Sequence, residues 1–344
     1  MDIHSINPLS DSRWDDLVGR HPRASVFHER GWLEALARTY DYEPFVLTST
    51  PPGEPLRDGL ALCRISSLIT GSRAVSLPFA DHCEPLLNGN GDCSEFASWL
   101  RMECDRQHWR YVELRPLSWN ANSDCSLLPI HSYFFHTLDL TAPLEEIFGG
   151  LHKDSMQRRI RRGERAGLSC EVGSEELLDE FYQLILVTRR RHRLIPQPRD
   201  WFRNLIRSMG DDIRIRVARK DRIPVAAILT LRHRSTVVYK YGGSDARYHN
   251  LAGMPLLFWK LIEESKATNA EEIDFGRSDL HNKGLISFKD RFGTRKKLLT
   301  YFRYPAGGKD MISGWGACAI RQLFSILPQI VLPAAGRILY RHIG

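Results

Sequence analysis

The stretch IRIRVARKDRIPVAAILTLRHRSTVVYKY, residues 213–241, decides the fold of this chain. It contains three β-prone runs, at 213–218, 225–231 and 236–241, separated by short segments that are rich in polar and turn-forming residues. Connections this short join antiparallel neighbours. A helical pattern over 252–267 and a β-prone run at 272–275 then complete a strand-helix-strand unit. The stretch and its continuation therefore predict a mixed α/β sheet, largely antiparallel and flanked by helices.

The first half of the chain shows the same order of elements. Helical patterns at 13–18 and 29–39 precede short β-prone runs at 45–48, 60–65 and 74–77, and a helix at 94–107 leads to strands at 111–114 and 133–140. The halves share no recognisable sequence identity, yet the repeated order predicts two α/β domains in tandem. We place them at 1–150 and 151–308, followed by an amphipathic tail at 309–344.

Charge divides the chain in the same place. Residues 1–150 carry 12 arginines, no lysine and 21 acidic residues, a net charge of −9, whereas the remainder carries a net charge of +16. A basic half of this size favours a polyanionic partner such as a nucleotide, tRNA, a pyrophosphate-linked lipid or an anionic membrane surface. The alternative is a solvated basic surface.

Several classes of protein and of site are not indicated. No apolar run approaches the roughly 20 residues needed to cross a bilayer, and the N-terminus lacks the pattern of a secretory signal, so we expect a cytoplasmic protein. The seven cysteines show neither CxxC nor zinc-ligand spacing, which predicts reduced core thiols and no metal site. We find no Ser-His-Asp or Cys-His arrangement.

Short motifs along residues 20–304 carry a resemblance to a known family. In chain order they are SVF at 25–27 with Trp32, LPFAD at 77–81, RRIRR at 158–162 with Gly167-Leu168, YGGSD at 241–245, DFGR at 274–277, and FK at 288–289 with FG at 292–293. In their order and placement they resemble the FemAB-like branch of the GNAT acyltransferase superfamily.

The resemblance implies two GNAT-fold halves and transfer of an acyl or aminoacyl group to an amine. In classical members the group moves from aminoacyl-tRNA to a peptidoglycan precursor, and this chain looks closer to a branch associated with exopolysaccharide and exosortase systems. The implied donor is aminoacyl-tRNA or acyl-CoA, no cofactor is bound covalently, and the acceptor is an amine of a cell-envelope precursor that could be lipid-linked.

A donor site is predicted where a strand passes into the helix at 252–267. Asn250, Leu251, Ala252 and Gly253 lie there, and unpaired amide groups with the helix dipole can hold a pyrophosphate. The segment is similar to the GNAT loop Q/R-x-x-G-x-G/A, although Asn250 and Pro255 depart from that pattern. The alternative is an ordinary capped helix with proline in its first turn.

Basic residues supply the predicted substrate contacts. The helical pattern at 152–165 has only Met156 and Ile160 as apolar anchors, so one face is almost wholly cationic and could grip phosphates, or could be a solvated connector. Without interleaved aromatic residues it does not suggest a stacking platform for single-stranded nucleic acid, and we expect no DNA partner. The predicted substrate-binding residues are Arg158, Arg161, Arg162, Arg191, Tyr241 and Arg277.

Amine transfer needs a neutral nucleophile, a stabilised oxyanion and removal of a proton. Lys289 could neutralise a donor phosphate or stabilise the oxyanion, against the alternative of a surface lysine paired with Asp290 or Glu264. Asp81 and Asp245 could orient or deprotonate the amine, and Glu113 and Asp274 are carboxylates of the same kind. Structural salt bridges and turn caps explain such carboxylates equally well, and catalysis by positioning alone is a further alternative.

Three functions remain open from the sequence. The first is an acyl- or aminoacyltransferase acting on a cell-envelope, peptidoglycan or exopolysaccharide precursor. The second is an N-acyltransferase that uses acyl-CoA or an acyl carrier protein, and the third is a non-catalytic GNAT fold that binds tRNA or an anionic membrane. The mixed apolar and basic tail predicts peripheral contact with the inner face of the membrane, against the alternative that it packs on the second half.

Overall fold

The computed structural model describes residues 2–67, 70–87, 93–118, 127–305 and 332–343. The helices of these residues are, in chain order, α1 (Ser12–Arg20), α2 (Arg30–Tyr40), α3 (Cys93–Arg106), α4 (Leu144–Gly150), α5 (Arg158–Arg165), α6 (Leu178–Arg191), α7 (Arg199–Met209), α8 (Gly253–Ala267), α9 (Lys283–Asp290) and α10 (Leu332–Ile343). The strands are β1 (His4–Ile6), β2 (Glu43–Thr48), β3 (Leu60–Ile65), β4 (Arg73–Val75), β5 (Val112–Leu114), β6 (Leu128–Asp139), β7 (Ser169–Gly173), β8 (Ile213–Lys220), β9 (Ile223–His233), β10 (Thr236–Ser244), β11 (Glu272–Asp279) and β12 (Arg295–Tyr304).

The chain forms two compact units. The second contains residues from Tyr133 to Leu298, and the first contains the residues up to Ser132 together with β12 from Leu299 onward and α10. The sequence placed the division at residue 150, but α4 and most of β6 lie in the second unit. Most of the predicted tail, including Trp315, Leu323 and Phe324, lies outside the described residues.

In the first unit the strand order is β1-β2-β3-β4-β5-β12. β4 and β5 are parallel and are linked by the crossover through α3, whereas the other pairs recorded within this unit are antiparallel. α1 begins behind Asp11, whose carboxylate accepts from the Arg13 amide, and buries Trp14, Leu17 and Val18. The helical pattern at 13–18 therefore reflects one face packed in the core.

In the second unit the strand order is β6-β11-β10-β9-β8-β7. The antiparallel meander predicted from residues 213–241 is confirmed as β8, β9 and β10. α8 carries the chain across to β11, which pairs in parallel with β10, and Phe258, Phe275 and Phe292 pack against one another at the centre of this core. The mixed, largely antiparallel sheet that the sequence predicts is thus confirmed.

β10 and β11 separate at their carboxyl ends. Their ladder covers only Thr236–Val238 and Glu272–Asp274, and each strand is irregular just beyond it, with bulges at 239–241 and 274–276. From there β10 stays paired with β9, and β11 stays paired with β6. The facing edges of these two described strands therefore part, which opens a cleft between them.

Gly243 lets α6 approach β10 in this region. A Cβ at Gly243 would lie 2.6 Å from the carbonyl carbon and oxygen of Leu184, closer than a real side chain allows. The helix backbone therefore rests directly on the strand. As a result Thr188 of α6 exchanges hydrogen bonds with Ser244, its hydroxyl 2.8 Å from the Ser244 amide nitrogen and 3.1 Å from the Ser244 carbonyl oxygen.

α10, the described end of the tail, packs on the first unit. Thr70 and Arg73 each donate to the His342 carbonyl oxygen at 2.8 Å, and Arg341 pairs with Asp41 at 2.7 Å. The alternative that the tail packs on the second half is therefore wrong for this helix. Among the described residues no helix is long and apolar enough to cross a membrane.

Candidate functional site

The predicted donor site lies at the start of α8, next to the cleft between β10 and β11. A helical turn at Ala246–Leu251 follows β10, and Ala252 then adopts the left-handed conformation, with a φ of 60°, directly before α8 begins at Gly253. A Cβ at Gly253 would lie 3.0 Å from the Ala226 side chain. Because glycine has no Cβ, the first turn of α8 can pack closely on β9. The predicted segment therefore does pass from a strand into a helix N-terminus.

Cationic groups gather beside this helix start. The Arg191 guanidinium donates to the Ser244 carbonyl oxygen at 3.1 Å and lies 3.3 Å from His249 Nε2, which is 3.0 Å from the Ser244 hydroxyl. Burial, followed by the charges of Arg191 and Arg159, lowers the pKa of His249. Within the described residues no carboxylate pairs with Arg159 or Arg191, so their charge remains available to an anionic ligand.

α5 brings Arg159 to this place. Met156 and Ile160 are buried, which confirms the two anchors predicted for the segment 152–165, although its first part is a π-helical turn at Lys153–Gln157 and not part of one continuous α-helix. A Cβ at Gly163 would lie 3.1 Å from the Leu256 side chain, so α5 packs closely on α8. Arg159 belongs to the cationic face predicted for this segment but was not among the predicted substrate contacts, and His249 was missed. Arg159 lies one turn before Gly163 and therefore shares its side of the helix.

The predicted substrate arginines of α5 are, like Arg159, exposed at its surface. Arg158 is exposed and pairs with Asp154 at 3.1 Å, and the Arg161 guanidinium lies 5.5 Å from the centre of the Phe148 ring. Arg162 is also exposed. Their roles remain predictions.

Lys289 is buried, so the alternative of a surface lysine is wrong. It is 2 % exposed, and its ammonium donates to the carbonyl oxygens of Gly276 at 3.0 Å and Arg277 at 2.9 Å. Gly276 has a φ of 71° and lies at the bulge of β11, where an extra residue turns the backbone away from the regular ladder. Lys289 therefore fixes the bulge at the wall of the cleft.

His136 lies opposite this bulge and was not singled out from the sequence. It pairs with Gly276 across the β6–β11 ladder, it is fully buried, and its Nδ1 is 3.3 Å from the Thr294 hydroxyl. Burial, with a further contribution from the positive charge of Lys289, lowers the pKa of His136 to about 4. The imidazole is therefore neutral near pH 7.

Tyr241 and Arg277 lie on the parts of β10 and β11 that no longer pair with each other. The Tyr241 hydroxyl accepts from the Trp201 indole nitrogen at 3.0 Å, and the Arg277 guanidinium lies 4.3 Å from the centre of the Tyr133 ring. The Tyr241 side chain is buried against α7, with its ring 5.1 Å from the Phe202 ring, and the roles of both residues remain predictions.

The candidate carboxylates have structural partners. Asp245 accepts from the Arg247 amide at 3.0 Å and pairs with the Arg247 guanidinium at 2.6 Å, and these bonds lower the pKa of its carboxyl group. Such a carboxylate holds its turn more readily than it accepts a proton. Asp274 accepts from the Gly276 amide at 2.6 Å, and Glu113 is buried between Arg115 and Arg303.

Asp81 belongs to the first unit, whereas Lys289 and Asp245 belong to the second. The Asp81 carbonyl oxygen accepts from the Tyr301 hydroxyl at 2.6 Å. Its role as a catalytic carboxylate stays a prediction.

Neither a cysteine nucleophile nor a metal centre emerges from the described residues. Cys83 Sγ is 3.4 Å from His28 Nε2, but both side chains are buried and burial raises the pKa of the thiol. His28 Nε2 also lies 2.9 Å from the Glu84 carbonyl oxygen, which requires it to be the protonated nitrogen of the ring. No group of three or more potential metal ligands occurs in the described part of the chain.

The comparisons with known proteins agree with this architecture. Residues 152–284 match the family described as the acetyltransferase (GNAT) domain. No curated protein matches the sequence. Among solved structures, FemX has a TM-score of 0.69 at 12 % identity, covering 88 % of this chain and 97 % of its own.

Two other solved structures have the same fold over almost their whole length. The C-terminal domain of a putative lysylphosphatidylglycerol synthetase from Agrobacterium fabrum has a TM-score of 0.58 at 18 % identity, covering 94 % of this chain and 97 % of its own. A tandem GNAT protein from the clavulanic acid biosynthesis pathway has a TM-score of 0.54 at 13 % identity, covering 90 % of this chain and 100 % of its own. The expected fold of two GNAT-like halves in tandem is thereby confirmed, and the FemAB-like function and the exosortase-associated branch remain predictions.

Proposed function

We propose, from the match of residues 152–284 to the GNAT acetyltransferase domain, that the chain transfers an acyl or aminoacyl group to an amine of a cell-envelope precursor. The observation that carries the proposal is the pair of cations without carboxylate partners, Arg159 and Arg191, at the start of α8 beside the open cleft. An anionic donor bound there would place its acyl group between β10 and β11.

The donor is held through phosphates. Guanidinium groups and the N-terminus of α8 both favour a phosphate, and aminoacyl-tRNA and acyl-CoA both carry phosphates. The resemblance to FemAB-like proteins favours aminoacyl-tRNA, and peptidoglycan or exopolysaccharide precursors as acceptors. The name of the lysylphosphatidylglycerol synthetase supports aminoacyl transfer to an envelope component.

The reaction follows from the groups at the cleft. The neutral amine attacks the donor carbonyl carbon and forms the C–N bond of a tetrahedral oxyanion. Collapse of this intermediate breaks the C–O or C–S bond, and the proton lost by the amine balances the one taken up by the leaving group. Lys289 stabilises the oxyanion of the intermediate, because an ammonium in a buried site interacts strongly with developing negative charge. Asp245 keeps the turn before α8 in place for the donor.

A second candidate is an N-acyltransferase that uses acyl-CoA or an acyl carrier protein. The segment at 250–253 is similar to the GNAT pyrophosphate loop, and the name of the tandem GNAT protein refers to AcCoA. Acyl-CoA binding with no binding of aminoacyl-tRNA would favour this candidate over the first.

The proposal is tested by binding and single-turnover transfer with aminoacyl-tRNA and acetyl-CoA as donors. Arg191→Gln removes one charge-assisted hydrogen bond, worth about 1.5–3 kcal/mol, so the Kd of the true donor should rise tenfold or more. Arg190→Gln is the matched control, since Arg190 is exposed in the same helix. Equal donor binding by the two variants would refute the assigned site, and donor binding without transfer to any amine would favour a non-catalytic fold.

A further inference from the structure

The outer face of α9 borders a groove that is separate from the donor site at the start of α8. The α9 groove has a volume of about 560 Å³ and is lined on one side by Gly150 and His152 and on the other by Lys283, Ile286, Ser287, Asp290 and Arg291. All of these residues belong to the second unit.

The two sides of the groove are tied together at its base. The His152 amide donates to the Arg291 carbonyl oxygen at 2.9 Å. Gly293, with a φ of 75°, passes so close to the end of α4 that a Cβ on it would lie 3.3 Å from the Gly150 carbonyl oxygen. The groove is thus built by fixed backbone segments.

Its charge favours an anion. Within the described residues the side chains of Lys283 and Arg291 have no carboxylate partner, whereas Asp290 is neutralised by Lys296 at 2.9 Å. His152 accepts from the Ser155 amide through Nδ1 at 3.3 Å, which leaves its Nε2 able to donate. A phosphate ester in the groove would meet one permanent cation at each end of α9, Lys283 at its start and Arg291 directly after its last residue.

The groove also has room for more than a bare phosphate. Ligand pockets for small organic molecules occupy roughly 300–1,000 Å³, and the half-buried Ile286 offers an apolar contact beside the cations. A phosphate ester satisfies both features, with its phosphate on Lys283 and Arg291 and its organic part on Ile286.

α9 connects this groove to Lys289. Lys283, Ile286, Ser287 and Asp290 recur every three to four residues and so lie on one side of the helix, while Lys289 points to the opposite side and bonds to β11. A ligand in the groove therefore acts on the helix that holds the proposed oxyanion-stabilising group.

We propose that the α9 groove binds a phosphate ester through Lys283 and Arg291, and that this ligand is the acceptor of the acyl group or a fragment of it. The assignment of the ligand as acceptor rests on the proposed function, whereas the binding site itself does not. Because donor and acceptor would be held by different cations, the two sites should be separable by mutation.

The test uses the full-length protein and hydrogen exchange with inorganic pyrophosphate as the probe. Binding in the groove should slow amide exchange in 283–291 in the wild type and in the donor-site variant R159Q/R191Q. The variant K283Q/R291Q should lose this protection and bind at least tenfold more weakly, while R190Q/R222Q, which removes two exposed charges elsewhere in the second unit, should behave as wild type.

The outcomes separate the two proposals. The groove proposal is overturned if pyrophosphate does not slow exchange in 283–291 of the wild type. It is also overturned if K283Q/R291Q and R190Q/R222Q are protected equally. Protection that persists in a protein without transferase activity keeps the groove and refutes only the acceptor role. Vesicles of phosphatidylcholine with and without phosphatidylglycerol identify the source of the phosphate. Protection by the anionic vesicles as well as by pyrophosphate places a lipid head group in the groove. Protection by pyrophosphate alone places a soluble ester there.

Discussion

Replacing Lys289 by methionine keeps the apolar stem of the side chain and removes its ammonium. The change leaves the carbonyl oxygens of Gly276 and Arg277 without the donor that lies 3.0 and 2.9 Å away. A buried polar group that loses its partner costs about 1–3 kcal/mol, so two carbonyls predict a fall in the free energy of unfolding of about 2–6 kcal/mol. Burial thus makes a loss of stability the first expected effect.

The catalytic effect must be measured apart from this loss. Urea unfolding gives the folded fraction of Lys289→Met, and single-turnover transfer is then compared per folded molecule at a temperature where both proteins are folded. If Lys289 stabilises the oxyanion, the rate should fall on the order of a hundredfold or more. Lys297→Met, at an exposed lysine at the start of β12, should keep both rate and stability.

Two results would refute this reasoning. An unchanged free energy of unfolding would mean that the bonds to β11 contribute nothing to the fold. A destabilised variant that keeps the wild-type rate per folded molecule would make Lys289 a structural residue that fixes the bulge, and would remove it from the reaction.

Other predictions concern packing, pH and the tail. Gly243→Ala should lower the free energy of unfolding by about 1–3 kcal/mol, because its Cβ would lie 2.6 Å from the Leu184 backbone. Gly149→Ala, whose Cβ would have nothing within 4 Å, should not lower it. Equal thermal melts of the two variants would contradict the close approach. The pKa of His136 is about 4 in the folded state, so between about pH 6.5 and 4 the unfolded state binds a proton that the folded state does not. The free energy of unfolding should therefore drop as the pH falls through this range. His136→Asn should flatten that drop in urea titrations. If the tail contacts anionic membranes, the full chain should float with phosphatidylglycerol vesicles while a chain ending at Pro305 should not, and equal flotation would end that proposal.

Patterns that reflect burial on one face were readable from the sequence. In the run 213–241 apolar residues either alternate with polar ones or follow one another, because β8, β9 and β10 pack on the core. These three strands were predicted. β7 was missed, since Ser169–Gly173 is an edge strand whose residues are mostly exposed and carry no apolar alternation. Element type was therefore predictable where the core determined it and not at the edges.

The candidate site was only partly readable for a related reason. Lys289 was predicted as a site residue, but not its burial, because nothing in the local sequence shows that two carbonyl oxygens of β11 would accept hydrogen bonds from its ammonium. Arg159 was one of several arginines until Gly163 showed which side of α5 meets α8. His136 offered no signal at all, since its partners Gly276 and Thr294 are more than 130 residues away in the sequence.

The discontinuous first unit has a consequence for how the protein is made. β5 pairs with Phe302–Tyr304 of β12, a partner that leaves the ribosome nearly 190 residues later. The second unit is continuous from Tyr133 to Leu298 in the described chain and can close as soon as it has emerged. We therefore expect the N-terminal segment to wait, with its β5 edge open, while the later segment folds, and to need chaperone protection during synthesis more than the second unit does. Separating the halves by cutting the gene at residue 150 would leave that edge open permanently.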